Sequence, residues 1–319
     1  PTLAQFTRTT NFHLFQGKWY LCWQKGLVVW LKSIQPDAFI LEANPRYLSS
    51  YSAIRWMKAR NRAVIGWGLG SPPGGSGWSG LRLNWRKNFI RQLDGLITYS
   101  RKGAEEYAQL GFPRERIFTA PNSAVPRPQH APPNRPNQFL GEQAVVLFVG
   151  RLQARKRVDD LIRACAALPK PLQPILWIIG DGPLRPELET LAKEIYPQAR
   201  FFGAMHGAEL DHQFSRADLF VLPGSGGLAI QQAMSFGLPV IVGQADGTQS
   251  DLVRPENGWC LLSGSIDSLT QALQTALSDV ARLRNMGLES YRIVKDEINL
   301  ENMVRAFVEA VNSIAGKTR

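Results

Sequence analysis

The chain has 319 residues, 44% of them hydrophobic, and a net charge of +11, which supports one large or two medium domains with real cores. No apolar run approaches the roughly 18 residues that a membrane-spanning helix needs, and the run at residues 27–31 is flanked by Lys25 and Lys32. Three cysteines, Cys22, Cys165 and Cys260, lie too far apart for metal-ligand spacing and are odd in number, which reads as a reducing, cytoplasmic setting rather than a disulfide framework.

The charge is uneven: residues 1–140 hold 19 Lys and Arg against 6 Asp and Glu, and residues 141–319 hold 18 against 20. A basic half of this kind either meets an anionic partner, such as a membrane surface or a phosphorylated substrate, or simply aids solubility. A helix is expected at 17–33, where Lys18, Lys25 and Lys32 recur every seven residues beside Trp19, Trp23 and Trp30. Its aromatic and basic faces would lie on an anionic membrane, or its tryptophans would pack under a sheet. Short apolar runs at 38–41, 63–67, 95–99 and 117–120 read as buried parallel strands, with helices at 49–60, 79–92 and 101–110 between them. Residues 121–141 carry Pro121, Pro126, Pro128, Pro132, Pro133 and Pro136, so they form neither a continuous helix nor a central strand and read as an interdomain linker.

Beyond that segment, strands are expected at 145–149, 175–179, 200–202, 219–222 and 240–242, with helices between them and further helices from 266 to 314. The alternation argues for two doubly wound α/β domains. Three loops fall where a strand hands over to a helix, which is where open parallel sheets bind ligands. The first holds Gly150, Arg151 and Lys156; the second holds Gly180, Asp181, Gly182 and Pro183; the third runs Gly224, Ser225, Gly226, Gly227 before a helix at Leu228. Two cations facing a run of small residues suit a diphosphate-bearing ligand, because guanidinium and ammonium groups pair with phosphates while glycines let backbone N–H groups approach. Asp181 reads as a helix cap. Asp246 and Thr248, after the strand at 240–242, either meet ligand hydroxyls or cap a turn. His13 and His130 sit in polar or proline-rich surroundings; His206 and His212 are six apart, which is not metal spacing on a helix, and His206 either faces the ligand loops or occupies a surface loop.

In their order, VGRLQARK, GDGPLRPELETLA and ADLFVLPGSGGLAIQQAMSFGLPVI resemble the donor-binding domain of retaining glycosyltransferases of family 4, which have the GT-B fold. The resemblance covers nearly all of residues 144–290 and extends more loosely to 94–100, 111–113 and 121–122. It implies an α/β, GT-B-like architecture of two Rossmann-like domains facing across a cleft. Residues 1–139 would form the acceptor-side domain and 140–299 the nucleotide-sugar donor domain, with 300–319 packing back on the first. It further implies that Arg151 and Lys156 hold the leaving diphosphate, and that Gly150, Gly182, His206, Gly224, Ser225, Gly226, Gly227, Leu228, Gln232, Asp246 and Thr248 form the donor site. No metal and no cofactor are expected besides the donor, a UDP- or GDP-linked sugar.

Three departures stand out. Most members carry two glutamates eight residues apart in the last motif, one for the sugar and one for the ribose; here those positions are Gly224 and Gln232. Relatives with a glycine-rich loop carry a Trp-Gly-His-Gly run on the acceptor side; here it is Trp67, Gly68, Leu69 and Gly70, so no side-chain base is assigned. Neither the opening strand nor the glycine-rich loop of such N-terminal domains precedes Asp37, which implies a truncated first domain. The reading is a metal-independent, retaining transfer of a sugar to a glycan, lipid or small-molecule hydroxyl. It would take place in the cytoplasm, with the basic half suited to the inner face of an anionic membrane. The rival is a non-catalytic GT-B subunit or scaffold that binds nucleotide or membrane without transfer. No nucleic-acid recognition motif is present.

Overall fold

The structure is a computed structural model that describes residues 6–15, 17, 20–70, 78–139, 141, 143–226, 228–243, 248–261 and 264–318. Lys18, Trp19, Gly227 and Asp246 lie outside the described residues. The chain divides into two units, Pro1–Ala120 with Val304–Arg319, and Pro121–Met303.

The first unit opens with an antiparallel hairpin, β1 (Asn11–Leu14) and β2 (Leu21–Gln24), followed by α1 (Leu27–Ile34). The helix expected at 17–33 therefore forms only from Leu27 onward, and residues 21–24 are strand. Gly26 adopts φ 80°, a left-handed conformation that ends β2 and lets the chain turn into α1. Trp23 is exposed on the hairpin and Trp30 packs edge-on to Phe39 from α1, so the heptad stripe of lysines and tryptophans does not exist on one face. A parallel sheet in the order β3-β4-β5-β6 follows. It is built from β3 (Ala38–Glu42), α2 (Leu48–Lys58), β4 (Ala63–Gly68), α3 (Trp78–Ile90), β5 (Gly95–Thr98), α4 (Arg101–Gln109) and β6 (Ile117–Thr119). These elements match the sequence-based expectation because their apolar runs are short and bounded by turn residues.

The second unit contains β7 (Val145–Val149), α5 (Val158–Ala167), β8 (Ile175–Ile179), α6 (Arg185–Ile195), β9 (Ala199–Gly203), α7 (Gly207–Arg216), β10 (Leu219–Leu222), α8 (Leu228–Ser235), β11 (Val240–Gly243), α9 (Gln249–Leu252), β12 (Gly258–Leu261), α10 (Ile266–Leu277) and α11 (Val280–Arg292). Its six strands are parallel, in the order β12-β11-β10-β7-β8-β9. Every residue of β10 and β11 is buried, as expected for strands covered on both faces. No strand was expected at β12; it packs so closely on β11 that an added Cβ at Gly258 would strike the Val240 carbonyl. The last helix, α12 (Leu300–Thr318), leaves this unit at Met303 and contributes Phe307 and Ile314 to the first. Phe307 lies edge-on to Trp67 at 5.2 Å.

The described residues among 121–141 have no helix or strand, as their prolines require, yet they belong to the second unit and are anchored within it. Arg135 donates to the carbonyls of Ala217 (2.9 Å), Phe236 (2.7 Å) and Phe214 (2.9 Å). Arg284 donates to the Pro136 carbonyl at 2.8 Å and pairs with Asp218 at 2.8 Å. Asp218 in turn accepts from the Val145 N–H at 2.8 Å. Arg284 and Asp218 are 8% and 4% exposed, so removing one strands the other in a low dielectric. Arg284→Met is expected to cost about 3–5 kcal/mol of stability, measured by urea denaturation; a cost under about 1 kcal/mol would show that the pair is not buried in solution.

Candidate functional site

In the second unit the chain starts at the central strand β7, winds outward to β9, then returns to β10 on the other side of β7. This reversal is the topological switch point of an open sheet, where the loops leaving the two central strands splay and a ligand fits. The loops that follow β7 and β10 are those that hold Arg151, Lys156 and the glycine-rich run.

Glycines set how close these loops come. Gly180 takes φ 136°, and an added Cβ would strike the Gly150 carbonyl. At Gly182 it would lie 2.7 Å from the Leu152 nitrogen. Backbone hydrogen bonds join the same segments, from Leu152 to Asp181 at 2.9 Å and from Gly150 to Ile179 at 3.0 Å. Gly224 is equally tight: an added Cβ would sit 2.6 Å from the Lys156 Cα and would overlap the Arg155 carbonyl. The basic loop occupies the space that any side chain at position 224 would need.

Lys156 and the glycine loop come together. The Lys156 ammonium donates to the Ser225 carbonyl at 2.6 Å, and an added Cβ at Gly226, which has φ 145°, would strike Nζ. Burial, with Arg155 adjacent, holds the Lys156 ammonium below its ordinary pKa. An ammonium has three donors, and this bond occupies one. Arg155 was not singled out from the sequence, although it lies within the quoted motif. It donates to the Ser225 hydroxyl at 3.2 Å, and its carbonyl accepts from the Ser225 N–H at 2.9 Å. Arg157 also escaped the sequence reading. It sits in the left-handed region at φ 57°, uncommon for a side chain with a Cβ, and its guanidinium is bonded to Asp160 and to the Gly264 carbonyl. Arg155, Arg157, Gly224, Ser225, Gly243 and Gly264 surround a cavity of about 170 Å³ at the ends of β10, β11 and β12.

The remaining residues are more dispersed. Arg151 is exposed at the end of β7 and Leu228 is exposed at the first position of α8. Gln232 donates to Asp211 of α7 at 3.1 Å. His206 is exposed at the start of α7 and makes no side-chain cap. Thr248 precedes α9, and its neighbour Gln249 reaches back to donate to the Gly226 carbonyl at 2.8 Å. Gln249 is 1% exposed and fixes the glycine loop from behind; no sequence signal marked it out. In the first unit, Trp67 packs on Tyr99 at 5.0 Å, and Gly68 faces the Tyr107 hydroxyl, which an added Cβ would approach to 2.5 Å. Leu69 is 50% exposed. Gly70 has φ 113°, and its carbonyl accepts from Arg86 at 3.2 Å. Among the described residues, no three His, Cys, Asp or Glu side chains gather where they could hold a metal ion, and no helix is long and apolar enough to cross a membrane.

The sequence model described as "Glycosyl transferases group 1" matches residues 133–292, half of the chain. The chain belongs to the glycosyl transferases group 1 family. A GDP-mannose-dependent alpha-mannosyltransferase of Mycolicibacterium smegmatis is 37% identical over 154 residues, covering 47% of this chain and 38% of that protein. Among solved structures, the apo form of the lipopolysaccharide outer core galactosyltransferase WaaB aligns with 89% of this chain and 77% of its own, with a TM-score of 0.68 and 21% identity. Anabaena HepE in complex with UDP aligns with 90% of this chain and 81% of its own, with a TM-score of 0.71 and 17% identity. At these identities the likeness is one of fold: α/β with parallel sheets, as in GT-B glycosyltransferases. The chain spans less than half the length of several curated relatives that it matches.

The packing at position 224 gives a direct test. Gly224→Glu places a long side chain against the backbone of Arg155 and Lys156, and is expected to destabilise by about 1–3 kcal/mol through overpacking. Urea denaturation of the variant measures it; an unchanged midpoint would mean that the basic loop is not seated on Gly224.

Proposed function

We propose that this protein is a family 4 glycosyltransferase that moves a sugar from a nucleoside-diphosphate donor to an acceptor hydroxyl with retention and without a metal. The observation that carries the reading is the seating of Lys156 on the glycine loop at the switch point of the second unit, with Arg155 beside it. A partly desolvated ammonium held by a backbone carbonyl is a preorganised cation. It stabilises charge that develops on a leaving diphosphate more effectively than a hydrated one. Arg151, exposed at the end of β7, is the second cation for that diphosphate. The backbone N–H groups of Gly226 and Gly227 would assist it, that of Ser225 being taken by the Arg155 carbonyl. The cations supply the positive charge that a divalent metal supplies in other transferases.

Retention follows if the acceptor hydroxyl attacks from the leaving-group face, its proton passing to the departing phosphate oxygen as the sugar–oxygen bond breaks. Gln232 is assigned to the ribose, where an amide both donates and accepts, and His206, Leu228, Asp246 and Thr248 complete the donor site. Trp67, Gly68, Leu69 and Gly70 are assigned to the acceptor side. The names of the similar proteins support a sugar nucleotide based on GDP or UDP, one relative being GDP-mannose-dependent and one neighbour holding UDP. Another relative acts on a phosphatidylinositol monomannoside, which supports a glycan or lipid-linked acceptor. The basic excess of residues 1–140 suits an anionic membrane surface, where lipid-linked acceptors reside.

Thermal unfolding with UDP, GDP and their sugar conjugates tests the donor site. A ligand that binds the folded state raises Tm by mass action, by about 2.7 kcal/mol of stability at a hundredfold excess over Kd. One of the nucleotides is expected to do so in the native protein and not in Lys156→Ala. No shift with any of them would discard the assignment. The charge on Lys156 also sets a pH limit. Its lowered pKa means that the ammonium is lost at lower pH than an ordinary lysine would lose it. Nucleotide affinity is therefore expected to fall as pH rises through a value below 10.5, and Lys156→Arg is expected to move that fall upward. Isothermal titration across the alkaline range measures both; an identical profile in the two proteins would remove Lys156 from the site.

A further inference from the structure

The basic and aromatic segment at the start of the first unit folds in part as the hairpin β1–β2, and the hairpin sorts its side chains by face. Directly opposed residues of an antiparallel pair lie on the same face, and alternate residues of a strand return to it. Phe12 pairs with Trp23 and Leu14 with Leu21, so these four apolar side chains make one face. Asn11, His13, Cys22 and Gln24 make the other.

The hairpin turns its apolar face outward. Phe12 is 49% exposed, Leu14 44% and Trp23 43%, and Phe15 just after β1 is exposed as well. The opposite face is the one that reaches the protein, with Cys22 buried. One edge of β2 is pinned: the Cys22 N–H donates to the Arg46 carbonyl at 2.9 Å, and the Gln24 N–H to the Ser49 hydroxyl at 3.1 Å. Single exposed apolar residues are ordinary on a protein surface. A contiguous aromatic face on an anchored ribbon is not, and it marks an interaction surface.

Charge selects the partner. Residues 1–36 contain Arg8, Lys18, Lys25 and Lys32 and no Asp or Glu, the first acid being Asp37. Arg8, Lys25 and Lys32 are exposed, and Lys25 directly follows β2. Two copies meeting through this face would bring these like charges together with no carboxylate from the same segment to offset them, which opposes self-association. An anionic bilayer satisfies both features. Aromatic rings and leucines enter the boundary between headgroups and acyl chains, where tryptophan is enriched, while lysines and arginines stay at the anionic headgroups. We propose that the hairpin β1–β2 is a membrane-docking element that inserts Phe12, Leu14, Phe15 and Trp23 into the interfacial layer of an anionic bilayer, with Arg8 and Lys25 at its headgroups. The docking narrows the membrane contact of the first unit to one element. That the docked protein meets a lipid-linked acceptor there rests on the glycosyltransferase reading above; the docking itself does not.

Co-sedimentation of the full chain with vesicles tests it, using phosphatidylcholine alone and equal parts of phosphatidylcholine and phosphatidylglycerol. The native protein is expected to bind the mixed vesicles, and to bind phosphatidylcholine about tenfold more weakly or less, since its cations find no anionic lipid there. Phe12→Thr/Trp23→Thr keeps a strand-forming residue at both positions and is expected to weaken binding to the mixed vesicles about tenfold or more, each single variant moving in the same direction. Lys25→Glu is expected to weaken it about fivefold or more, with a smaller loss in high salt. Lys156→Ala is expected to leave it unchanged. Arg55→Glu/Arg91→Glu reverses two exposed charges elsewhere in the first unit and is expected to cost less binding than the loss of the two rings. The proposal is overturned if the native protein binds neither vesicle, binds both equally, or keeps its affinity without Phe12 and Trp23. A dimer in size exclusion that the aromatic variant splits, with vesicle binding unaltered, assigns the face to a second copy and overturns it too. Vesicle binding that depends on Phe12 and Trp23, in a protein that neither UDP nor GDP stabilises, overturns the donor reading and leaves the docking hairpin standing.

Discussion

The second unit depends on one constraint: three loops must meet backbone to backbone at the end of its sheet. The basic loop after β7 lies against the loop after β8 on one side and the loop after β10 on the other. Each meeting point is closer than any side chain permits, and glycines at 180, 182 and 224 make it possible. Backbone hydrogen bonds from Leu152 to Asp181 and from Ser225 to Arg155 lock the contact. A polypeptide at van der Waals distance from another has no room for water between them, so Lys156 on this loop loses part of its hydration.

That loss gives Lys156 its character. Its ammonium is half-withdrawn from solvent and tied to the Ser225 carbonyl, with Arg155 and Arg157 close by. Like charges held together at this distance repel, and the cost is met by specific anchors. Arg157 pairs with Asp160, and Arg155 binds the Ser225 hydroxyl. An anion entering the cavity would relieve the repulsion, which links packing at the switch point to the proposed chemistry. Glycine at 224 fits the same picture, because a side chain there would displace the loop.

Away from the site, buried ionic anchors replace regular structure. The described residues among 121–141 have no ladder of their own, and the guanidinium groups of Arg135 and Arg284 provide bonds to their surroundings instead. A planar guanidinium with five donors suits this task, since it satisfies several carbonyls from one position. The Arg284–Asp218 pair also ties this segment to the start of β7 through the Val145 N–H. The strand that leads into the basic loop is thereby anchored at its other end.

The sequence by itself determined the parallel strands, because runs such as 145–149 and 219–222 are apolar throughout and can only be buried on both faces. It also determined the positions of the three strand-to-helix loops after β7, β8 and β10, since glycine and proline mark where strands end. It did not determine the hairpin at 11–24, where a seven-residue spacing of lysines imitated a helix and the pairing of His13 with Cys22 decided otherwise. Nor did it reveal Arg155, Arg157 or Gln249 as members of clusters. Their partners lie at Ser225, Gly264 and Gly226, far away in the chain. Local pattern reports which face of an element is apolar. It carries no information on which polar groups meet, because that depends on sheet order and on how closely the loops approach, and only tertiary structure sets those.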